Sequence, residues 1–287
     1  MIGQVLVDSL VNAALLAPPA VAFSMLFGIL RFPNFAVGGY FTVGVYIAYA
    51  VNVPLGLPVW VAIVAAMVGT ALLVWATDLS VFRPMRDSAP VTLLVVSISL
   101  AFVLEHVVRL VFGAEVKGLN VPLERPVLIG DVRVTPEQAK LVVAALVVVV
   151  VTHLVLRMTR IGKAMRAMAD NPQLAQVRGI RAGRVRAFVT LYGGALLGLS
   201  GVVGGLNLVI EPMLGWSLTV PIIAAAILGG IGSIYGAMLG ALLVGLAEEL
   251  AFIALAGPYK IAVGFVLIAV LLLFRPHGLL GAPEIKK

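Results

Sequence analysis

Few residues of this sequence have the type and spacing needed for catalysis or metal binding. The 287 residues include no cysteine, which excludes disulfides, thiolate metal sites and cysteine nucleophiles. The histidines His106, His153 and His277 fall on separate predicted elements, so no metal-spaced cluster or catalytic triad is visible. Glu105 and Arg109 are spaced i, i+4 and can form an ion pair on one helix face. We expect this pair to stabilise the structure rather than to take part in function. The sequence therefore disfavours an enzyme and predicts no cofactor.

The composition indicates that the elements positioning these residues are membrane helices. Hydrophobic residues make up 62% of the chain, charged residues only 11%, and the mean hydropathy is +1.14. About 20 apolar residues cross a bilayer as a helix, so the apolar stretches predict about nine spans, or eight if the short 217–231 stretch is re-entrant. The stretches are 5–30, 36–52, 58–79, 90–113, 138–157, 187–210, 217–231, 234–256 and 259–275. The predicted fold class is an all-α integral membrane protein.

The distribution of charge predicts the orientation. Segment 157–186 carries eight basic residues against the single acid Asp170, a net charge of +7 that equals that of the whole chain. By the positive-inside rule this segment is cytoplasmic, which places the N-terminus outside and the C-terminus inside. Spans 1–4 and 6–9 then run in opposite directions, which predicts two inverted four-helix repeats within one domain covering 1–287.

Two polar interruptions, 31–39 and 207–215, separate helices in the two halves. Each has two readings: non-helical backbone that lines a solute path, or an ordinary turn with small residues packed beside it. The glycine-rich segment 229–236 lacks the strand and lysine of a phosphate-binding loop. We expect Gly236 and Gly240 to pack helices against each other.

The cytoplasmic segment, 158–186, carries the signals of two short helices. The first covers about 161–169, and Asp170 or Asn171 can cap the second, with Pro172 at its first position and Gly179 ending it. We expect exposed apolar residues on these helices to form a docking surface for a cytoplasmic protein; they are Met165, Met168, Leu174 and Val177. The charge also attracts anionic lipid, whereas the absence of interleaved aromatic residues disfavours nucleic acid.

Four segments carry a family resemblance that spans nearly the whole chain. Segment 28–39 resembles the G-x-x-N-F-A-H-G segment of the branched-chain amino acid ABC importer permeases. The stretches 160–167, 170–172 and 178–180 are similar to that family's cytoplasmic coupling segment, 226–237 to its second-half signature, and 275–279 to its C-terminal end. The chain looks like the shorter of the two permeases that pair in these importers. In place of the family's histidine it has Val37, followed by an extra Gly39.

The resemblance implies a type-II-like ABC importer permease of a bacterial cell (inner) membrane. It implies a solute path shared with a second permease, two ATPase subunits on the cytoplasmic segment and an extracytoplasmic solute-binding protein. The solute would be a branched-chain or other hydrophobic amino acid, or a related urea, amide or aromatic acid. A self-contained secondary transporter or channel is the alternative, for which Glu105 is the only fair coupling candidate.

Two sets of site residues follow from these observations. The predicted path residues are Asn34, Phe35, Gly38, Gly39, Glu211, Gly229, Gly230, Gly232 and Ser233. The predicted ATPase-coupling residues are Lys163, Ala164, Met165, Arg166, Asp170, Asn171, Pro172, Leu174, Val177 and Gly179. No metal ligands are predicted.

Overall fold

The chain folds as a set of long helices joined by short turns. The computed structural model describes residues 2–121, 125–129, 132–255, 264–266, 269–270, 273, 275 and 278–280. The helices up to residue 255 are α1 (Ile2–Leu30), α2 (Val37–Asn52), α3 (Val59–Thr77), α4 (Pro90–Phe112), α5 (Pro136–Met158), α6 (Arg160–Asp170), α7 (Pro172–Val177), α8 (Ala182–Asn207), α9 (Leu214–Gly229) and α10 (Ile234–Leu255). A π-helical turn, Asp78–Phe82, extends α3.

Six helices are long and apolar enough to cross a membrane, which makes the chain an integral membrane protein. They are α1, α3 with its π-helical turn, α4, α5, α8 and α10. The helices α2 and α9 have only 16 residues each, about 24 Å at 1.5 Å per residue, against a hydrocarbon core of about 30 Å. The ninth predicted stretch, 259–275, lies mostly outside the described residues. The expected count of about nine spans therefore stays a prediction.

Two elements differ from the sequence expectation. Helix α8 begins at Ala182, within the basic segment, so Arg184 and Arg186 belong to its first turns. The segment between α4 and α5 contains an antiparallel hairpin, β1 (Val127–Ile129) and β2 (Val132–Val134), whereas the predicted fold class is all-α. Strands of three residues are too short for an alternating pattern to identify them.

Helix packing follows one scheme in both halves of the chain. Helix α3 packs along α8, and α1 packs along α10, while the short helices α2 and α9 lie between these pairs. The α3–α8 and α2–α8 contacts depend on glycine: a Cβ on Gly194 would lie 2.7 Å from Ala71 Cα, and one on Gly201 would lie 2.6 Å from the Phe41 carbonyl oxygen. Small residues let helix backbones approach closely in membranes. The two 16-residue helices α2 and α9 thus lie between longer membrane-spanning helices.

Candidate translocation path and cytoplasmic docking segment

The first predicted interruption is present and lies between α1 and α2. Helix α1 ends at Leu30, and Arg31 adopts a left-handed backbone with φ of 64°. The buried Asn34 accepts a hydrogen bond from the Ala36 amide at 3.0 Å, and the Phe35 amide donates to Ser97 Oγ of α4 at 3.0 Å. Protein groups therefore replace helical hydrogen bonds that are lost where α1 ends.

The second interruption lies between α8 and α9. Helix α8 ends at Asn207, and Ile210 exchanges two backbone hydrogen bonds with Lys117, of 2.9 and 3.3 Å. The predicted path residue Glu211 is exposed in the next position, and α9 begins at Leu214. The break is thus held by the segment that follows α4, and it presents a carboxylate.

The two short helices cross at equivalent positions. Gly38 and Gly215 are each the second residue of their helix, and Thr42 and Thr219 are each the sixth. The Gly215 amide donates to Thr42 Oγ1 at 3.0 Å, and Thr219 Oγ1 donates to the Gly215 carbonyl oxygen at 2.8 Å. A Cβ on either glycine would overlap the backbone of the other.

This register was missed at the sequence level, although a signal for it exists. Both helices begin with a Gly-x-x-x-Thr pattern, at residues 38–42 and 215–219. The central residues of the two interruptions do not show the match, because the residues that match lie at the start of the helix that follows each break. Aligning the helix starts places Asn34 opposite Glu211.

The remaining predicted path glycines pack elements together. Gly39 faces Ala101 of α4, where a Cβ would lie 3.1 Å from Ala101 Cα. Gly229 contacts the Gly236 backbone across the α9–α10 turn, which confirms the expected packing through Gly236. Their assignment to the path stays a prediction.

The turn between α9 and α10 lies against the end of α1. Gly230 and Gly232 have φ of 108° and 84°, values that favour glycine. Ser233 Oγ accepts from the Gly236 amide at 3.1 Å. Gly232 approaches Gly28, where an added Cβ would meet Cα at 3.7 Å. The turn therefore neighbours the first interruption.

An exposed polar stripe on α4 is a feature that sequence reasoning missed. Ser99, Phe102, His106 and Arg109 recur at helical spacing, and of these only Arg109 is partly buried. The Phe102 ring lies 4.8 Å from the ring of Trp216, in the first turn of α9. Phe102 is exposed near the middle of a membrane-spanning helix, and Trp216 beside it is half-buried. This aromatic pair, flanked by polar side chains, is the feature closest to a solute-facing surface.

Glu105 and Arg109 form the expected ion pair, at 3.3 Å. The Glu105 side chain is 7% exposed and that of Arg109 is 41% exposed. The pair therefore consists of a buried carboxylate and a guanidinium that reaches the protein surface. No group of three His, Cys, Asp or Glu residues that could hold a metal ion occurs in the part of the chain that the structure describes.

Removal of Arg109 is expected to destabilise the protein more than removal of Glu105. An Arg109→Leu variant leaves a buried carboxylate without its partner, which costs about 3–5 kcal/mol in buried pairs. In Glu105→Leu the arginine can extend towards polar surroundings. Thermal unfolding of the purified protein should rank Arg109→Leu below Glu105→Leu, with the double leucine variant above Arg109→Leu. An Arg109→Leu protein with a wild-type melting temperature but no transport would instead indicate that the pair couples an ion.

The cytoplasmic segment folds as the two predicted short helices, α6 and α7. Asn171, rather than Asp170, caps α7: its Oδ1 accepts from the Leu174 amide at 3.0 Å, and Pro172 occupies the first turn. Gly179 has φ of 85°, and the Ile180 amide donates to the Ala175 carbonyl at 3.0 Å, which closes the helix. The length of α7 is thus fixed at both ends.

The expectation that Met165 and Met168 are exposed is wrong. They are 3% and 2% exposed and join the main hydrophobic core beneath α6. Lys163 and Arg166 lie on the opposite, exposed face. The exposed apolar residues are instead on α7, where Leu174 is 54% and Val177 is 84% exposed.

A hydrogen bond joins the cytoplasmic helices to the first interruption. Arg31 Nη2 donates to the Ala169 carbonyl oxygen, in the last turn of α6, at 2.6 Å. A cation at a helix C-terminus is favoured by the free carbonyl groups there. Displacement of α6 would therefore act directly on the residue where α1 stops being helical.

These features define a polytopic helical membrane protein with interrupted helices and a rigid helical segment beside them. A family model described as the permease component of branched-chain amino acid transport systems matches residues 5–274, and the chain belongs to that family. The resemblance inferred from segments 28–39 and 226–237 is thereby confirmed.

Individual relatives agree with this assignment. The high-affinity branched-chain amino acid transport system permease protein LivH of Escherichia coli (strain K12) is 31% identical over an alignment of 282 positions, which covers 93% of this chain and 92% of LivH. The corresponding BraD protein of Pseudomonas aeruginosa is 31% identical over an alignment of 300 positions, which covers 99% of this chain and 97% of BraD. A chain of PsaBC from Streptococcus pneumoniae, solved with a Fab, shares the fold with a TM-score of 0.51, 14% identity, and coverage of 94% and 91%.

Proposed function

We propose that this chain is the pore-forming permease subunit of an ATP-driven importer for branched-chain amino acids. The observation that carries the proposal is the family match over residues 5–274, with relatives named as high-affinity branched-chain amino acid permeases. The subunit has no catalytic role of its own in this proposal. A second permease, two cytoplasmic ATPase subunits and an external solute-binding protein complete the importer.

The proposed architecture is a single domain of two inverted repeats, with the N-terminus outside and the C-terminus in the cytoplasm. The equivalent positions of Gly38 and Gly215, and of Thr42 and Thr219, support a pseudo-twofold axis between α2 and α9. The basic segment 158–186 supports the orientation. Inverted repeats with interrupted helices at their interface are a common transporter design.

The proposed solute-facing surface combines the exposed Phe102 and His106 of α4 with the exposed Glu211 and the half-buried Trp216. A hydrophobic amino acid presents an apolar side chain, an ammonium and a carboxylate. The Phe102–Trp216 pair offers an apolar contact and Glu211 offers a carboxylate for the ammonium. In this proposal Gly38, Gly39, Gly229 and Gly230 hold the helices that shape the path.

Uptake of radiolabelled leucine by energised cells tests this function. Cells that produce the complete importer are expected to accumulate leucine, isoleucine and valine, and lose this ability when the gene for this chain is deleted. Excess unlabelled valine should compete, whereas urea, acetamide and benzoate should not. If only urea, acetamide or benzoate competes and valine does not, the proposed substrate class would change to that of the competing solute.

A Trp216→Leu variant tests the solute-facing surface within the same assay. Loss of an aromatic contact of about 1.4 kcal/mol corresponds to a tenfold fall in uptake efficiency. Trp60→Leu is the matched control, because Trp60 is 69% exposed in the first turn of α3. Equal uptake by both variants would place the path elsewhere, without affecting the assignment of the importer.

A further inference from the structure

A cavity at the end of α3 is lined by charged side chains that belong neither to the proposed solute-facing surface nor to the exposed face of α7. It has a volume of about 380 Å³ and is lined by α3, its π-helical turn, the following loop and the start of α8. Three guanidinium groups, those of Arg83, Arg86 and Arg186, face it together with the carboxylate of Asp78. The cavity therefore carries three positive charges against one negative charge.

The charged groups of this cavity do not pair with one another. Asp78 is 5% exposed, and its Oδ1 has no hydrogen-bond partner in the described part of the chain. Among the same residues, no carboxylate oxygen lies within 4 Å of the three guanidinium groups. Of the four groups only Asp78 is buried, whereas Arg86 and Arg186 are half-buried and Arg83 is exposed. The three guanidinium groups can therefore donate hydrogen bonds to a ligand in the space between them.

The backbone at this point is also irregular. The Arg83 amide donates to the Asp78 carbonyl oxygen at 2.7 Å, which closes a π-helical turn where α3 would otherwise continue. Single π-helical turns are frequent at functional sites. The turn places Asp78 and Arg83 at the edge of the same cavity.

The apolar part of the lining indicates what kind of ligand fits. Trp75 and Leu79 line the cavity and are 36% and 37% exposed at the end of a membrane-spanning helix. Tryptophan is enriched where the bilayer meets water, and basic pockets at the cytoplasmic side bind phospholipid headgroups. The carboxylate of Asp78 disfavours a dianion such as free phosphate over a singly charged phosphodiester.

We propose that this cavity binds the phosphodiester headgroup of a phospholipid from the cytoplasmic leaflet. The guanidinium groups hold the phosphate oxygens through charge-assisted hydrogen bonds, and the acyl chains leave along Trp75 and Leu79. The bound headgroup fixes the inner end of α3 against α8. Lipid retention by the purified chain does not depend on transport. The site can therefore be tested even if the chain does not import branched-chain amino acids.

Native mass spectrometry of the detergent-purified chain, titrated with dioleoylphosphatidylglycerol, tests the site. The wild type should retain one lipid, and Arg186→Gln should weaken retention about tenfold, equivalent to about 1.4 kcal/mol. Arg178→Gln removes the same charge from the exposed end of α7 and should bind like wild type. If Arg186→Gln fails to fold, Arg83→Gln, in the exposed loop, should show the same weakening.

Two further measurements distinguish the ligand. Asp78→Asn should retain phosphatidylglycerol at least as tightly as the wild type, because it removes the negative charge of a carboxylate that lines the cavity. Inorganic phosphate at millimolar concentration should not displace the lipid. Unchanged retention of phosphatidylglycerol by Arg186→Gln and by Arg83→Gln would overturn the proposal. Displacement of the lipid by inorganic phosphate would also overturn it.

Discussion

A Leu174→Asp substitution is expected to separate the permease from its ATPase. Leu174 and Val177 are the exposed apolar residues of α7, a short helix capped by Asn171 and closed at Gly179. A few buried anchors carry most of the binding energy of an interface, so a charge at this position should cost at least about 2 kcal/mol, roughly thirtyfold in affinity. Co-purification of the ATPase and ATP-dependent uptake should both fall.

The control for this variant is Gln173→Asp, which adds the same charge at the neighbouring exposed position of α7. Both proteins should insert and fold like the wild type, because the site lies outside the long apolar helices. If Leu174→Asp retains the ATPase as well as Gln173→Asp does, the dock lies elsewhere. The basic loop 83–87 would then be the next segment to test.

We expect a movement of α7 to reach the pore because of the contacts that the adjoining helix α6 makes with the rest of the protein. The Met165 and Met168 side chains anchor α6 in the hydrophobic core, and Arg31 binds the last turn of α6. An ATPase that moves α7 would therefore move a rigid unit joined to the first interruption. A loop held only by its two ends could not act on α1 in this way.

Local signals allowed the sequence to predict where helices begin and end. Pro90 starts α4 and Gly113 ends it with φ of 82°, while Asn171, Pro172 and Gly179 delimit α7. Proline at the first turn and glycine after the last are local preferences that do not depend on tertiary structure. The same holds for the Glu105–Arg109 pair, which needs only helical spacing.

The partner of each helix face could not be predicted in the same way. The pattern of Met165 and Met168 is the same whether the face meets an ATPase or the protein's own core, so the sequence could not distinguish the two. The pairing of Phe102 with Trp216 joins residues of distant segments, and no local preference indicates it. Burial of a helix face is decided by neighbours that are far away in sequence.

A Gly38→Ala substitution is expected to destabilise the fold strongly, because the added methyl group has no space at the crossing of α2 and α9. The added Cβ would overlap both the Gly215 carbonyl oxygen and Thr219 Oγ1, so α2 and α9 would have to separate at their crossing. Overpacking typically costs about 1–3 kcal/mol and more where backbone must move. Thermal unfolding and monodisperse yield of the purified protein measure the loss, and Gly215→Ala should reproduce it.

Gly28→Ala is the matched control, since it adds the same methyl group inside α1 where the nearest atoms would lie at 3.6 and 3.7 Å. Alanine is a better helix former than glycine by about 1 kcal/mol, so this control should unfold at the wild-type temperature or slightly above it. The opposite signs separate an effect of the crossing from an effect of helix propensity. If Gly38→Ala and Gly28→Ala unfold at the same temperature, the two short helices do not depend on the close contact of Gly38 with Gly215, and the proposed axis between the halves loses its main support.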